Sequence, residues 1–386
     1  MLRSTEDDFA KLRLAWRVIA ERHAAGTVFN FTGLERSMGT ELDDELAPAL
    51  HGERLRELAL DHLGGDPERD DVFVANRMTA AIFCAVQALA RSGSTVVGVS
   101  AGYSHPSVVR AVRFAGAKLV DTVGLDGFAA RVDEADVVVL TRLAVTYEAL
   151  PAEELSPIVE LARERGVPVF VDDAGGARVG PAILGQPKTL ELGAEVGATG
   201  LDKYGTVGPR LGLLAGRSEI VASIRARAIE LGMEARPMLY PAVVASLEQY
   251  RPERVRELVA STQRVGDALE RIAPWLDRTP VAVKLPGAGI LAEAARRAGI
   301  AAPALVPIEA TAALAMLLLR DHGILTVHFA ALPPGTDALL LKFIPPEVLE
   351  RFGGPDAFAA AVDAALDGVA ELLGRPAELR SLLGRE

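Results

Sequence analysis

The chain of 386 residues has one cysteine, Cys84, and only six lysines. One thiol excludes an intramolecular disulfide and a cysteine-built zinc site. Cys84 lies in "AAIFCAVQAL" and reads as a small buried hydrophobe. No metal site is expected. Uninterrupted apolar runs of 18 residues are missing, so no membrane-spanning helix is expected. The N-terminal stretch "MLRSTEDDFAKLRLAWRVIAERHAAG" reads as an amphipathic helix of mixed charge. It lacks the apolar centre and small-residue cleavage site of a secretory signal, and a cytoplasmic protein is expected. Positive charge is in deficit, with Lys+Arg 41 against Asp+Glu 52 and a net charge of −11. That argues against general nucleic-acid binding through phosphate neutralisation.

Apolar residues are plentiful, at 50% of the chain, and the length suits two or three packed units. From about residue 66, short apolar runs alternate with helical spacing. "DVFVAN", "TVVGVS", "KLVDT", "ADVVVLT" and "VPVFVDDA" read as strands, separated by helices such as "TAAIFCAVQALARSG" and "PAEELSPIVELARERG". This predicts an α/β domain with a mainly parallel sheet, helices on both faces, and sites at the carboxyl ends of the strands. After "RSEIVASIRARAIELG" the texture changes to long helices with the strands "VAVKL", "ILTVHF" and "DALLLKF", which predicts a smaller C-terminal α+β domain. The expected division is a helical arm over 1–65, the large domain over 66–235 and the small domain over 236–386.

Three features along the large domain carry chemistry. In "VANRMTAAIF" a strand runs through Asn76, Arg77, Met78 and Thr79 into a helix whose free N–H groups suit a phosphate. Alone, an ordinary polar turn with Thr79 as a cap is the better reading of it. In "VPVFVDDAGGAR" an acidic pair, Asp172 and Asp173, follows a buried strand, where one carboxylate can hold a protonated heteroaromatic nitrogen. In "TGLDKYGTVGPRLGLLAG" Lys203 sits between strand-like flanks in a Gly-rich turn. Lys11, Lys118, Lys188, Lys284 and Lys342 fall on the first helix, at a strand start, in a polar loop and in the later domain. Only Lys203 follows a strand of the sheet, a poor place for a solvated ammonium and a good one for a reactive amine. A lysine for a Schiff base, an acid at a ring nitrogen and a helix cradle together describe pyridoxal 5′-phosphate chemistry. A dinucleotide-binding reading needs a G-x-G-x-x-G turn after the first strand of the sheet, and "VANRMTAA" has no glycine.

On "VANRMTAAIF", "VFVDDAGGARVG" and "TGLDKYGTVGPRLGLLAGRSEIVASIRA" the chain resembles fold-type I pyridoxal-phosphate enzymes, close to the selenocysteine synthase (L-seryl-tRNA(Sec) selenium transferase) group and its archaeal-type relatives. The resemblance implies Lys203 as the Schiff-base lysine and Asp172 as the partner of the pyridine nitrogen. It implies phosphate contacts from Asn76, Arg77, Met78 and Thr79. His105 or Tyr103 would stack on the ring, His105 being equally a helix-start residue before Pro106. Arg142 and Thr146 would face the cofactor edge or substrate, and Arg210 would meet a phosphate or carboxylate unless it forms a surface salt bridge. Arg36 would reach substrate across a homodimer interface. The implied activity is Cα deprotonation of an amino acid or derivative, with β-elimination or β-replacement, leaving lyase and transferase outcomes open. The phosphate turn departs from the group's pattern, and the short N-terminal region with the acidic charge argues against a tRNA substrate. Lys342 stands where many aminotransferases carry a carboxylate-binding arginine. The alternatives are a tRNA-linked seryl or selenium transferase and a non-catalytic binding protein on this fold, and the latter would be colourless.

Overall fold

The computed structural model describes residues 5–27, 44, 46–326 and 337–383. The chain divides into two compact units. One ends at Pro252 and lacks residues 146–148; the other comprises Thr146–Glu148 and the chain from Glu253 on.

The first unit contains α1 (Thr5–Ala24), α2 (Leu46–Leu63), β1 (Asp70–Ala75), α3 (Met78–Leu89), β2 (Thr95–Ser100), α4 (Pro106–Phe114), β3 (Lys118–Val123) and α5 (Gly124–Ala129). It continues through β4 (Val137–Leu140), α6 (Ala152–Glu164), β5 (Val169–Asp172), α7 (Gly176–Ile183), β6 (Val196–Gly200), β7 (Gly212–Arg217), α8 (Ser218–Glu230) and α9 (Tyr240–Glu248). Seven strands form one sheet in the order β1-β7-β6-β5-β4-β2-β3. β2 through β6 pair in parallel, while β7 runs antiparallel to both β1 and β6.

The central strands β4 (VVVL) and β5 (VFVD) are buried at every residue, as a sheet covered on both faces requires. Alternation along β5 sends Phe170 to the layer under α3, α4 and α8, with Ala81, Val108 and Ile224. Val169 and Val171 go to the other face, with Val138, Leu155 and Ile158. On that same side a third cluster joins Leu60 and Leu63 of α2 to Leu213 and Val243. The first 65 residues were expected to form an arm, but α2 is part of this core. α9 packs on α2, so the first unit runs past the expected boundary at 235.

The second unit holds α10 (Pro252–Leu269), whose first residue still counts with the first unit, then β8 (Asp277–Arg278), β9 (Ala282–Pro286), α11 (Gly287–Ala298) and α12 (Pro307–His322). β10 (Ala338–Lys342), α13 (Pro346–Phe352), α14 (Gly354–Leu373) and α15 (Pro376–Leu382) complete it. An antiparallel sheet, β10-β9-β8, packs with helices around Leu285, Ile290, Leu314, Val362 and Leu366. The strand expected over "ILTVHF" does not form over Ile324–Thr326; its remaining residues lie outside the described ones. Within this unit Lys284 Nζ lies 2.6 Å from Glu148 Oε1, and Lys342 donates to the Tyr147 hydroxyl.

In the first unit a buried ion pair ties the ends of β4 and β5. Arg142 Nε donates to Asp173 Oδ1 at 3.1 Å, and Arg142 Nη2 donates to Asp173 Oδ2. Neither side chain is exposed to solvent. Arg142 Nη1 also donates to the Pro187 carbonyl at 2.6 Å, and Thr189 Oγ1 donates to Asp173 Oδ2 at 2.7 Å. Removing one partner strands the other charge, so Asp173→Ala is expected to lose about 3–5 kcal/mol of stability. The double variant Arg142→Met/Asp173→Ala is expected to recover much of that. Urea unfolding of the three proteins measures both.

Candidate active site

Strand register brings the three sequence features to one edge. Ala75 at the end of β1 pairs with Gly212, which pairs with Gly200 at the end of β6. Asp172, the last residue of β5, pairs with Ala198. With neighbouring strands ~4.8 Å apart, the phosphate turn, the lysine turn and the acidic pair follow each other along the carboxyl edge of the parallel strands.

Lys203 stands in the reversal between β6 and β7. Leu201 N donates to Leu211 O at 2.9 Å, Gly208 N to Leu201 O at 3.1 Å, and Thr206 Oγ1 to Lys203 O at 2.6 Å. Gly205 (φ 96°) and Gly208 (φ 101°) take the left-handed conformations that this reversal needs. The lysine side chain is 30% exposed, and Nζ lies 3.8 Å from Asp202 Oδ2. Arg210 Nε holds the same carboxylate oxygen at 2.8 Å. Arg210 is therefore in a surface salt bridge, its side chain 73% exposed.

Asp172 is buried, and its Oδ1 has no hydrogen-bond partner among the described residues. Burial, and then the charge of Asp173, push its carboxyl up to about 7, against the Ala174 N–H that lowers it. Its neighbour Asp173 is the one engaged by Arg142. Arg142 was expected to face the cofactor edge or substrate. Its guanidinium is instead spent on Asp173 and the Pro187 carbonyl, because a buried cation needs a buried acceptor.

The turn into α3 offers backbone N–H groups beside the exposed side chains of Asn76, Arg77 and Thr79. Arg77 is extended (φ −160°, ψ 159°) and gives α3 no side-chain cap, leaving first-turn N–H groups for an anion. Met78 packs into the core beneath. Asn76 is held by the turn after α8, its N–H on Met233 O at 2.9 Å and its side-chain nitrogen 3.5 Å from Gly232 O. Thr79 Oγ1 lies 3.3 Å from Ser107 Oγ, joining the starts of α3 and α4. A Cβ on Gly212 would come within 2.7 Å of Arg77 O, so glycine lets β7 pass this turn.

His105 caps α4, its Nδ1 accepting from Ser107 N at 3.0 Å. Burial, then the charges of Arg110 and Lys203, hold its imidazole down at about 4. Tyr103, the rival for the ring-stacking role, is 44% exposed. Thr146 falls with the second unit, where it supports the Glu148 carboxylate. Arg36 lies outside the described residues.

One residue was missed in the sequence. Arg178, in the first turn of α7, is 0% exposed. Its Nη1 donates to Thr199 Oγ1 at 3.1 Å and to Gly200 O at 2.9 Å. The available signal was an arginine in the otherwise apolar helix "GARVGPAI". Among the described residues no group of His, Cys, Asp or Glu is arranged for a metal, and no helix is long and apolar enough to cross a membrane.

This sheet order, with the lysine turn, the acidic pair and the helix start on one edge, is the fold of the fold-type I pyridoxal-phosphate enzymes. The solved Sphingomonas wittichii serine palmitoyltransferase is similar in fold, with a TM-score of 0.63 and 15% identity over 92% of this chain and 84% of that one. A Methanothermobacter thermautotrophicus "UPF0425 pyridoxal phosphate-dependent protein" is 30% identical over 351 residues, 88% of each chain. The chain belongs to this family of UPF0425 pyridoxal phosphate-dependent proteins. An L-seryl-tRNA(Sec) selenium transferase of Solidesulfovibrio magneticus is 29% identical over 126 residues, 31% of this chain and 27% of that protein. No family model matches the chain.

The buried groups set opposing pH dependences. His105, and His62, which burial holds well below its usual value, stay neutral in the folded chain. Unfolding lets both bind protons near pH 6.5, so their contribution to stability is lost as pH falls from about 6.5 toward 4. Asp172 keeps its proton when folded up to about pH 7, so its contribution is lost as pH rises from about 4 to 7. Removing that opposing group exposes the histidines. Cofactor-free Asp172→Asn is expected to lose stability more steeply than wild type between pH 6.5 and 4.5, with His62→Phe in that background flattening the slope. Urea midpoints against pH read both.

Proposed function

We propose that the protein is a pyridoxal-phosphate-dependent enzyme acting at the Cα of an amino acid or amino-acid derivative. The observation that carries this reading is the unpartnered, buried Asp172 Oδ1 on the same edge as Lys203 and the uncapped start of α3. These groups fit the cofactor's three demands, and the named relatives are pyridoxal phosphate-dependent proteins. When bound, the cofactor supplies an aldehyde for an amine and a ring that withdraws electrons from the adjacent carbon.

Each residue's work follows from its position. The N–H groups of Met78 and Thr79, with the Thr79 hydroxyl, hold the phosphate, and the helix dipole favours its charge. Asp172 would accept a hydrogen bond from the protonated ring nitrogen, and the cation there would draw its carboxyl back down and keep it ionised. The neutral His105 imidazole would cover the ring face. Lys203 Nζ would take the Cα proton as base and return it as acid. Asp202, held by Arg210, orients that amine. Loss or replacement of a β-substituent is the proposed outcome, in a homodimer. The partial similarity to a seryl-tRNA(Sec) selenium transferase keeps a tRNA-linked substrate as the second reading. Salt-dependent tRNA binding by the purified protein would favour that one.

Wild type with pyridoxal phosphate is expected to absorb in the visible and, after borohydride, to carry the cofactor on Lys203 by peptide mass. Lys203→Ala is expected to do neither. Asp172→Ala is expected to slow solvent-deuterium exchange at the Cα of amino-acid substrates by about 100-fold or more. A colourless wild type at saturating cofactor overturns the proposal, and a monomer by light scattering overturns the dimer.

A further inference from the structure

We infer that Arg178 is the positioning residue for the Lys203 amine. The inference rests on the reading of Lys203 above. Gly200 is the last residue of β6, three positions before the lysine, and its carbonyl is held at 2.9 Å by Arg178 Nη1. The same nitrogen donates to Thr199 Oγ1 at 3.1 Å. Thr199 Oγ1 in turn donates to Ala174 O at 3.2 Å, just past the acidic pair. One buried guanidinium thus ties the strand end that launches the lysine turn to the loop that follows Asp172.

The Lys203 side chain folds over that tie. A Cβ on Gly200 would lie 3.2 Å from Lys203 Cγ and 3.5 Å from its Cε. A carbonyl that tilted by a few tenths of an ångström would carry this contact with it. Asp202 and Tyr204, on either side of Lys203, both act electrostatically on Arg178. Burial lowers the Arg178 guanidinium to about 10, so it stays charged at neutral pH. A guanidinium in an apolar helix is a costly way to hold two oxygens, and its Nε and Nη2 have no partner among the described residues. A merely structural site would more simply be apolar. The guanidinium is rigid, planar and fixed to the first turn of α7, so it fixes the carbonyl's direction as well as its place.

The test compares wild type, Arg178→Met, Arg178→Lys and Thr199→Val by two readouts. The first is the rate at which pyridoxal phosphate becomes borohydride-trappable on Lys203. The second, on cofactor-free protein, is the NMR signal of each of the six lysines after reductive ¹³C-methylation. Arg178→Met is expected to slow trapping about 10–100-fold and to shift the Lys203 signal while the other five stay in place. Arg178→Lys, which keeps a charge and a donor, is expected to restore most of the rate. Thr199→Val is expected to slow trapping roughly 2–10-fold, and it decides the matter should Arg178→Met not fold. Trapping at the wild-type rate with an unmoved Lys203 signal overturns the inference. Displacement of all six signals together also overturns it, since that is general loosening. If wild type itself forms no adduct, the proposed function fails, and the Lys203 signal alone still decides the role of Arg178.

Discussion

Asp172 and Asp173 are neighbours in sequence, and burial gives them opposite fates. Asp173 is paired with Arg142 and held by Thr189, so it is fixed in place. Asp172, one residue earlier at the strand end, receives none of these donors on Oδ1 and feels its neighbour's charge as well as its own desolvation. The pair is thus an arrangement in which one carboxylate keeps the end of the sheet in place and the other is left in need of a proton or a cation. The Arg142 ion pair makes this possible, since without it two buried carboxylates would compete for the same scarce donors.

The same economy of donors runs along the whole edge. The start of α3 has N–H groups with no side-chain cap, and Asp172 has an acceptor with no donor. In a core these would be defects; facing one edge, they are complementary to a molecule with an anionic end and a basic nitrogen. The stability of the first unit comes from elsewhere, from the apolar layers on Phe170 and Ile224 and on Val171 and Leu155. The edge is free to be strained and unsatisfied because the layers beneath it are not.

Much of this was legible in the sequence. The buried strands "VVVL" and "VFVD" are continuous apolar runs bounded by polar residues, and period alone places them in a covered sheet. Lys203 was singled out as a candidate by elimination, a strategy open only where lysine is scarce. Asp172 was proposed over Asp173 from the family resemblance. What was not legible depends on partners distant in sequence. Arg142 reads as a site residue until Asp173, 31 positions later, is seen beside it. Arg178 reads as nothing until its acceptors Thr199 and Gly200 are brought to it by β6. The direction of β7 is not given by periodicity, which reports which residues are buried and says nothing of strand polarity. "ILTVHF" has a strand's composition, yet its first three residues form no strand among the described residues, and Ile324 N donates instead to Leu318 O at 3.0 Å.

The antiparallel β7 has one more consequence. The segment between Gly200 and Gly212 is anchored at both ends by two strands that pair with each other, and Leu201 to Leu211 extends that closure one step further. Strand pairing fixes where both ends of this segment lie. A change of length between Leu201 and Leu211 would therefore have to be absorbed within the turn, moving Lys203 relative to the strand ends while the sheet keeps its register.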